Sequence, residues 1–150
     1  MPKRRQSGFT LLELMMVVVL LGMATAIGVP SYRGYIDSTN QKRAIAEIGG
    51  LAVDLYRWEL NTGGFPDTLA EAGLDGLRDP WGNPYVYLNI ATADKNAVRK
   101  DKNLHPLNTD FDLYSKGKDQ DTQLPLTAKS SQDDIVRANN GSFIGLGKNY

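Results

Sequence analysis

From Phe9 to Val29 the chain is almost wholly apolar, and the only charged residue in that stretch is Glu13. The residues ahead of it are polar and basic, with Lys3, Arg4 and Arg5. A helix crosses a bilayer with about 20 mostly apolar residues, so the run is long enough to span. A carboxylate inside such a span costs roughly 2.5 to 3.5 kcal/mol on insertion scales, which makes Glu13 a functional residue in search of a partner.

Three readings compete for this N-terminus, and each gives a different mature protein. A secretory signal peptide would use residues 3–5 as its basic region, residues 11–21 as its apolar region and Ala24-Thr25-Ala26 as a small-residue cleavage site. Glu13 lies inside the part that such a peptide keeps uncharged, and Gly8-Phe9 goes unused. An ordinary signal anchor, oriented by its cytoplasmic basic residues, explains topology and leaves Glu13 without a role.

The third reading accounts for all the parts. Gly8-Phe9-Thr10-Leu11-Leu12-Glu13-Leu14, after a basic leader and before an apolar helix ending near Pro30, resembles the class III signal of type IV pilins and type II secretion pseudopilins. The resemblance implies a prepilin peptidase that cuts between Gly8 and Phe9 and methylates the new Phe9 amine. It also implies that residues 1–8 are a leader, 9–30 a transmembrane and assembly helix, and 31–150 a periplasmic globular domain.

Cleavage would supply the missing partner. It removes Lys3, Arg4 and Arg5 from the 17 basic side chains, leaving 14 against 17 acidic ones, and it creates an ammonium at Phe9. Phe9 and Glu13 are four apart and share a face if both are helical. Within a subunit or between neighbours the two charges can offset each other, although desolvation consumes much of the gain, so the expected benefit is register more than stability. In the family this pairing is between subunits.

Past Pro30, Ala44, Ile45, Ile48, Leu51, Ala52, Leu55 and Trp58 recur at spacings of three and four, which predicts an amphipathic helix. Gly22, Gly28 and Pro30 weaken or kink the helix locally, and Gly63-Gly64 ends it. The helix is expected from Phe9 to about Asn61, with its outer half covered by the C-terminal body. That body should begin with a brief helix at residues 69–72, capped near Thr68 and stopped by Gly73. The turn-rich Asp79-Pro80-Trp81-Gly82-Asn83-Pro84 leads to a strand at 85–88, and residues 110–114 form a second with Phe111 and Leu113 on one face. Residues 93–107 are polar and charged and are expected to be a mobile connection. The sum is an α+β fold: one long helix packed on a small antiparallel sheet.

The Asp-Pro-Trp-Gly-Asn-Pro-Tyr run narrows the likeness, since it resembles the major pseudopilin of type II secretion more than a generic pilin. Trp81 itself reads as a core aromatic beside a turn.

A second candidate site lies in Ser115-Lys116-Gly117-Lys118-Asp119-Gln120-Asp121 and, further on, Asp133-Asp134-Ile135. Calcium takes six to eight oxygen ligands from flexible loops, yet Asp clusters also arise simply because Asp favours turns. The two arms are similar to the calcium loop of major pseudopilins, which implies Ca2+ held by Asp119, Asp133 and Asp134, with Asp121 in reserve. Gln120, the long spacer from 121 to 132 and the Val-Arg-Ala-Asn-Asn-Gly that follows Ile135 depart from that pattern. Many type IV pilins staple this region with a disulfide; with no cysteine this chain cannot, and a metal would do the stapling instead.

Catalytic residues do not stand out. His105, the single histidine, lies in the polar connection without a nucleophile or acid at a useful spacing. Lys95, Arg99, Lys100 and Lys102 alternate with acids and read as a solvated loop, so no nucleic acid is expected. The leading expectation is a subunit that polymerises into a helical filament as the major pseudopilin of a type II secretion system. The resemblance implies as partners further copies of the chain, the prepilin peptidase, an inner-membrane assembly platform, minor pseudopilins and, before assembly, membrane lipid. The alternatives are a type IV pilus subunit for adhesion, motility or DNA uptake, and a monomeric membrane-anchored sensor or enzyme.

Overall fold

A computed structural model of the protein describes residues 8–150, so the basic leader at 1–7 lies outside the described residues. The chain divides into two compact units, Met1–Ser38 and Thr39–Tyr150. The first helix, α1, is Leu11–Thr62 and passes through both. It starts two residues after Phe9 and runs through Pro30 without interruption. Thr25 and Ser31 donate their hydroxyls to carbonyls one turn back, at Leu21 and Gly22 and at Ile27.

In the first unit, residues 8–36 are all exposed. The helical stretch there is long and apolar enough to cross a membrane, and none of its apolar window is buried. A helix apolar on every side is stable only when lipid or other protein covers it.

The second unit has an ordinary core. Ala44, Ile48, Leu51, Ala52 and Leu55, the stripe expected from their spacing, are the buried residues of α1. They pack with Tyr85, Phe111, Leu113 and Ile135. The rings of Tyr56, Phe65 and Phe111 meet edge to face at centroid distances of 4.9 to 5.7 Å. α1 ends at Thr62, where Gly63 still donates its amide to Glu59.

Four strands make an antiparallel meander in chain order: β1 (Val86–Asn89), β2 (Phe111–Ser115), β3 (Ile135–Ala138) and β4 (Phe143–Leu146). Tyr87 faces Leu113, Tyr114 faces Val136, and Val136 faces Gly145. Alternation sends Phe111, Leu113 and Ile135 toward α1, while Tyr114, Val136 and Ala138 join Leu107 and Leu126 in a second cluster. The architecture is the expected α+β arrangement.

Three details differ from the sequence expectation. Residues 69–72 form a turn, not a helix: the Leu74 amide reaches the Leu69 carbonyl and Gly73 reaches Ala70, with Gly73 at φ +69°. That is the termination pattern of a helix with almost no helix before it, because too few residues separate Thr68 from Gly73 to repay nucleation. The second difference is the connection between β1 and β2, which is packed. Val98, Arg99, Leu107 and Asn108 are buried, and Lys100 exchanges backbone hydrogen bonds with Leu124 and Leu126. Finally, β3 and β4 occupy residues read as a calcium arm and a divergent tail. Each has only four residues, and the tight turn at Asn139–Gly141 between them leaves little periodicity to detect.

The turn before β1 is organised by Asp79, whose Oδ1 accepts the amides of Trp81 and Asn83. Its Oδ2 accepts the Ser115 hydroxyl, which in turn accepts the Gly117 amide, so the turn is tied to the end of β2. Trp81 is half-buried and packs against the main core, as a structural aromatic should.

Candidate functional site

The N-terminal site is built by helix initiation. Thr10 stands immediately before α1 and Glu13 three residues on, the spacing of a capping box. Glu13 Oε2 accepts the Thr10 amide at 2.9 Å and the Thr10 hydroxyl at 3.0 Å, while Thr10 Oγ1 accepts the Glu13 amide at 3.2 Å. Glu13 therefore has a partner within its own subunit, and the partner is Thr10. Phe9 lies ahead of the helix and is 85% exposed, so the shared helical face expected for Phe9 and Glu13 does not form here. The signal for this arrangement, Thr-x-x-Glu before an apolar run, is plain in the sequence.

Around this cap the surface is apolar and open. Leu11, Leu12, Leu14, Met15, Met16 and Val17 all stay more than half exposed, and shallow grooves run between such side chains along one side of the helix.

The second candidate site is the loop around Asp134. The structure brings Asp133 against the turn after β2, where its Oδ2 accepts the amides of Lys118 at 3.0 Å and Asp119 at 3.2 Å. Gly117 is required there: its φ is +68°, and a Cβ would lie 2.5 Å from the Asp133 carbonyl oxygen. Asp119 turns away and caps the Asp121 amide, and Asp121 accepts the Thr122 amide.

Asp134 faces the other way, into the protein, where it is fully buried. Its Oδ2 accepts Arg99 Nη2 at 2.7 Å and the Thr122 hydroxyl at 2.6 Å. Thr122 Oγ1 also accepts Arg99 Nη1, closing a three-membered ring of hydrogen bonds. The guanidinium carbon sits 4.3 Å from the centre of the Tyr114 ring, and the Arg99 amide is held by Asp112 Oδ2 at 2.7 Å. Burial pushes the Asp134 carboxyl up to about 6, against the opposing pull of Thr122 and Arg99. Burial likewise raises Asp112, opposed by hydrogen bonds from Asn108 and the Arg99 amide.

Asp119, Asp133 and Asp134 thus each face different partners within the protein. Among the described residues no three His, Cys, Asp or Glu side chains are grouped to hold a metal ion. One oxygen of Asp133 is committed to backbone amides and one of Asp134 to a guanidinium, while Asp134 Oδ1 and Arg99 Nε are buried without a hydrogen-bond partner. Arg99 gives little signal in the sequence, because it lies among Lys95, Lys100 and Lys102 in a stretch that looks solvated. His105, by contrast, is exposed beside Asp101 as a loop histidine should be.

Comparison with known proteins fits both the apolar helix and the α+β body. Residues 3–29 match the family model for the prokaryotic N-terminal methylation motif. Similar proteins include type II secretion system core protein G of Aeromonas hydrophila, 38% identical over 59% of this chain and 77% of that protein. The Pseudomonas aeruginosa core protein G is 32% identical over 79% of this chain and 88% of its own length. That of Vibrio cholerae is 33% identical over 63% and 77%. No solved structure matches. With an N-terminal methylation motif, an uncovered apolar helix and relatives aligned over most of their length, the chain belongs to the type II secretion system core protein G family, the major pseudopilins.

Proposed function

We propose that the chain is a structural subunit that polymerises into the pseudopilus of a type II secretion system. The observation that carries this reading is the first unit: a helix apolar on all sides, uncovered by its own chain, interrupted only by a capped acid, on a body whose relatives are core protein G. Those relatives favour secretion over a type IV pilus. Repetition of one contact that does not close on itself generates a filament, and packed copies of the helix would cover the apolar surface that lipid covers before assembly.

In this reading the peptidase cuts between Gly8 and Phe9, the body lies in the periplasm, and the Phe9 ammonium of an incoming subunit competes with Thr10 for Glu13 of its neighbour. The platform and minor pseudopilins of the inner membrane guide that exchange. Intact-mass analysis of native protein should find a chain beginning at methylated Phe9. A mature N-terminus at Met1 or Ile27 would overturn the reading. Glu13→Leu should leave the subunit in the membrane and cut pelletable filament at least tenfold, whereas a monomeric anchor would insert equally well or better.

A further inference from the structure

We propose that Arg99 is the built-in cation of the loop between β2 and β3, and that this subunit is held folded there by a guanidinium and needs no divalent metal. The resemblance to calcium-loop pseudopilins implied a cation shared by Asp119, Asp133 and Asp134. In the structure the positive charge at Asp134 comes from the chain itself, through the connection between β1 and β2.

Four features support the assignment. Arg99 and Asp134 are both buried, with 2% and 0% of their side chains exposed, so each would be an uncompensated charge without the other. Thr122 bonds to both partners and fixes their geometry. The backbone around Arg99 is itself anchored: Leu107 donates to the Arg99 carbonyl, and Lys100 pairs with Leu124 and Leu126 on the far side of the loop. The guanidinium lies over Tyr114 of β2, and Asp134 adjoins β3, where its carbonyl accepts the Gly147 amide just past β4. One side chain thus ties the long connection to the loop and to β2, the same job a bound ion would do, and it does so at any calcium concentration.

The test uses the purified full chain in detergent micelles. Melting is followed by circular dichroism in excess EGTA and in 5 mM CaCl2, with metal content of the dialysed protein measured by plasma mass spectrometry. A resident metal at 100 times its Kd shifts the Tm of a domain this size by on the order of 10 °C. The expected shift here is less than about 2 °C, with no stoichiometric metal retained. Arg99→Met should lower the Tm by on the order of 10 °C, and Arg99→Met combined with Asp134→Leu should recover a large part of the loss, because Asp134 is then no longer left as a buried charge without its guanidinium. A chelator-induced fall of several degrees, or one retained Ca2+ per chain, overturns the proposal. So does an Arg99→Met protein as stable as the parent; should that variant fail to fold, the chelator and metal measurements on the parent still decide.

Discussion

A single buried guanidinium does for the helix and sheet what Arg99 does for the loop. Arg137 on β3 is buried and makes a paired contact with Asp110, Nη1 to Oδ1 at 2.9 Å and Nη2 to Oδ2 at 2.6 Å. It also donates to the Phe111 carbonyl and to the hydroxyl of Tyr56 on α1, and Tyr56 donates on to Asp110. Breaking one side of a buried pair leaves the other uncompensated, so Arg137→Met should destabilise the subunit by about 3–5 kcal/mol, read as a fall in denaturation midpoint. Burial would raise the Asp110 carboxyl, but hydrogen bonds from Arg137, the Phe111 amide and Tyr56 outweigh it and hold the group below its ordinary 3.8. A depressed folded value means that the stabilisation is fully present above pH 3.8 and is lost as the pH falls through the lowered value. Tm profiles of the parent and Asp110→Asn should therefore converge at the acid end and differ most near neutrality. Parallel profiles down to pH 2 would show that Asp110 contributes nothing through its charge.

Among the elements, α1 carries the core of the second unit, and its apolar spacing made that legible in advance. Ile48 and Leu55 are completely buried. Truncating either to Ala should cost about 2–5 kcal/mol, whereas Leu60→Ala, 85% exposed at the same helix's end, should be near neutral in the same melt. β1 and β2 were also legible, each within a residue of its expected start, because aromatic and β-branched residues cluster between strong turn signals. β3 and β4 were not, since strands of four residues hardly alternate. The Asp133 turn makes its own demand: Gly117→Ala should destabilise by about 1–3 kcal/mol or more, because strain at positive φ adds to a clash with backbone. A Tm unchanged by that substitution would mean that the turn relaxes and that Asp133 does not fix it.

At the scale of the whole chain, the two units ask for different surroundings. The second buries its own core, while the first leaves a continuous apolar helix open. Removing detergent from the full chain should drive it into large assemblies or precipitate, visible by sedimentation, and Leu20→Asp should reduce that tendency by breaking the apolar surface. A full chain that stays monomeric without detergent would contradict the need for a cover.

What the sequence determined by itself is local and periodic: the N-terminal methylation motif, the apolar span, the buried stripe of α1, the turn before β1 and the absence of any disulfide. These follow from residue types at short fixed spacings, which act wherever the rest of the chain goes. Tertiary structure alone decided which charges meet. Arg99 finds Asp134 across 35 residues, Arg137 reaches Tyr56 across 81, and the Asp cluster read as metal ligands is divided between a backbone turn and a buried guanidinium. A charge takes its role from whatever lies within a few ångströms of it, and for residues this far apart that distance is set only when strands and connections have packed.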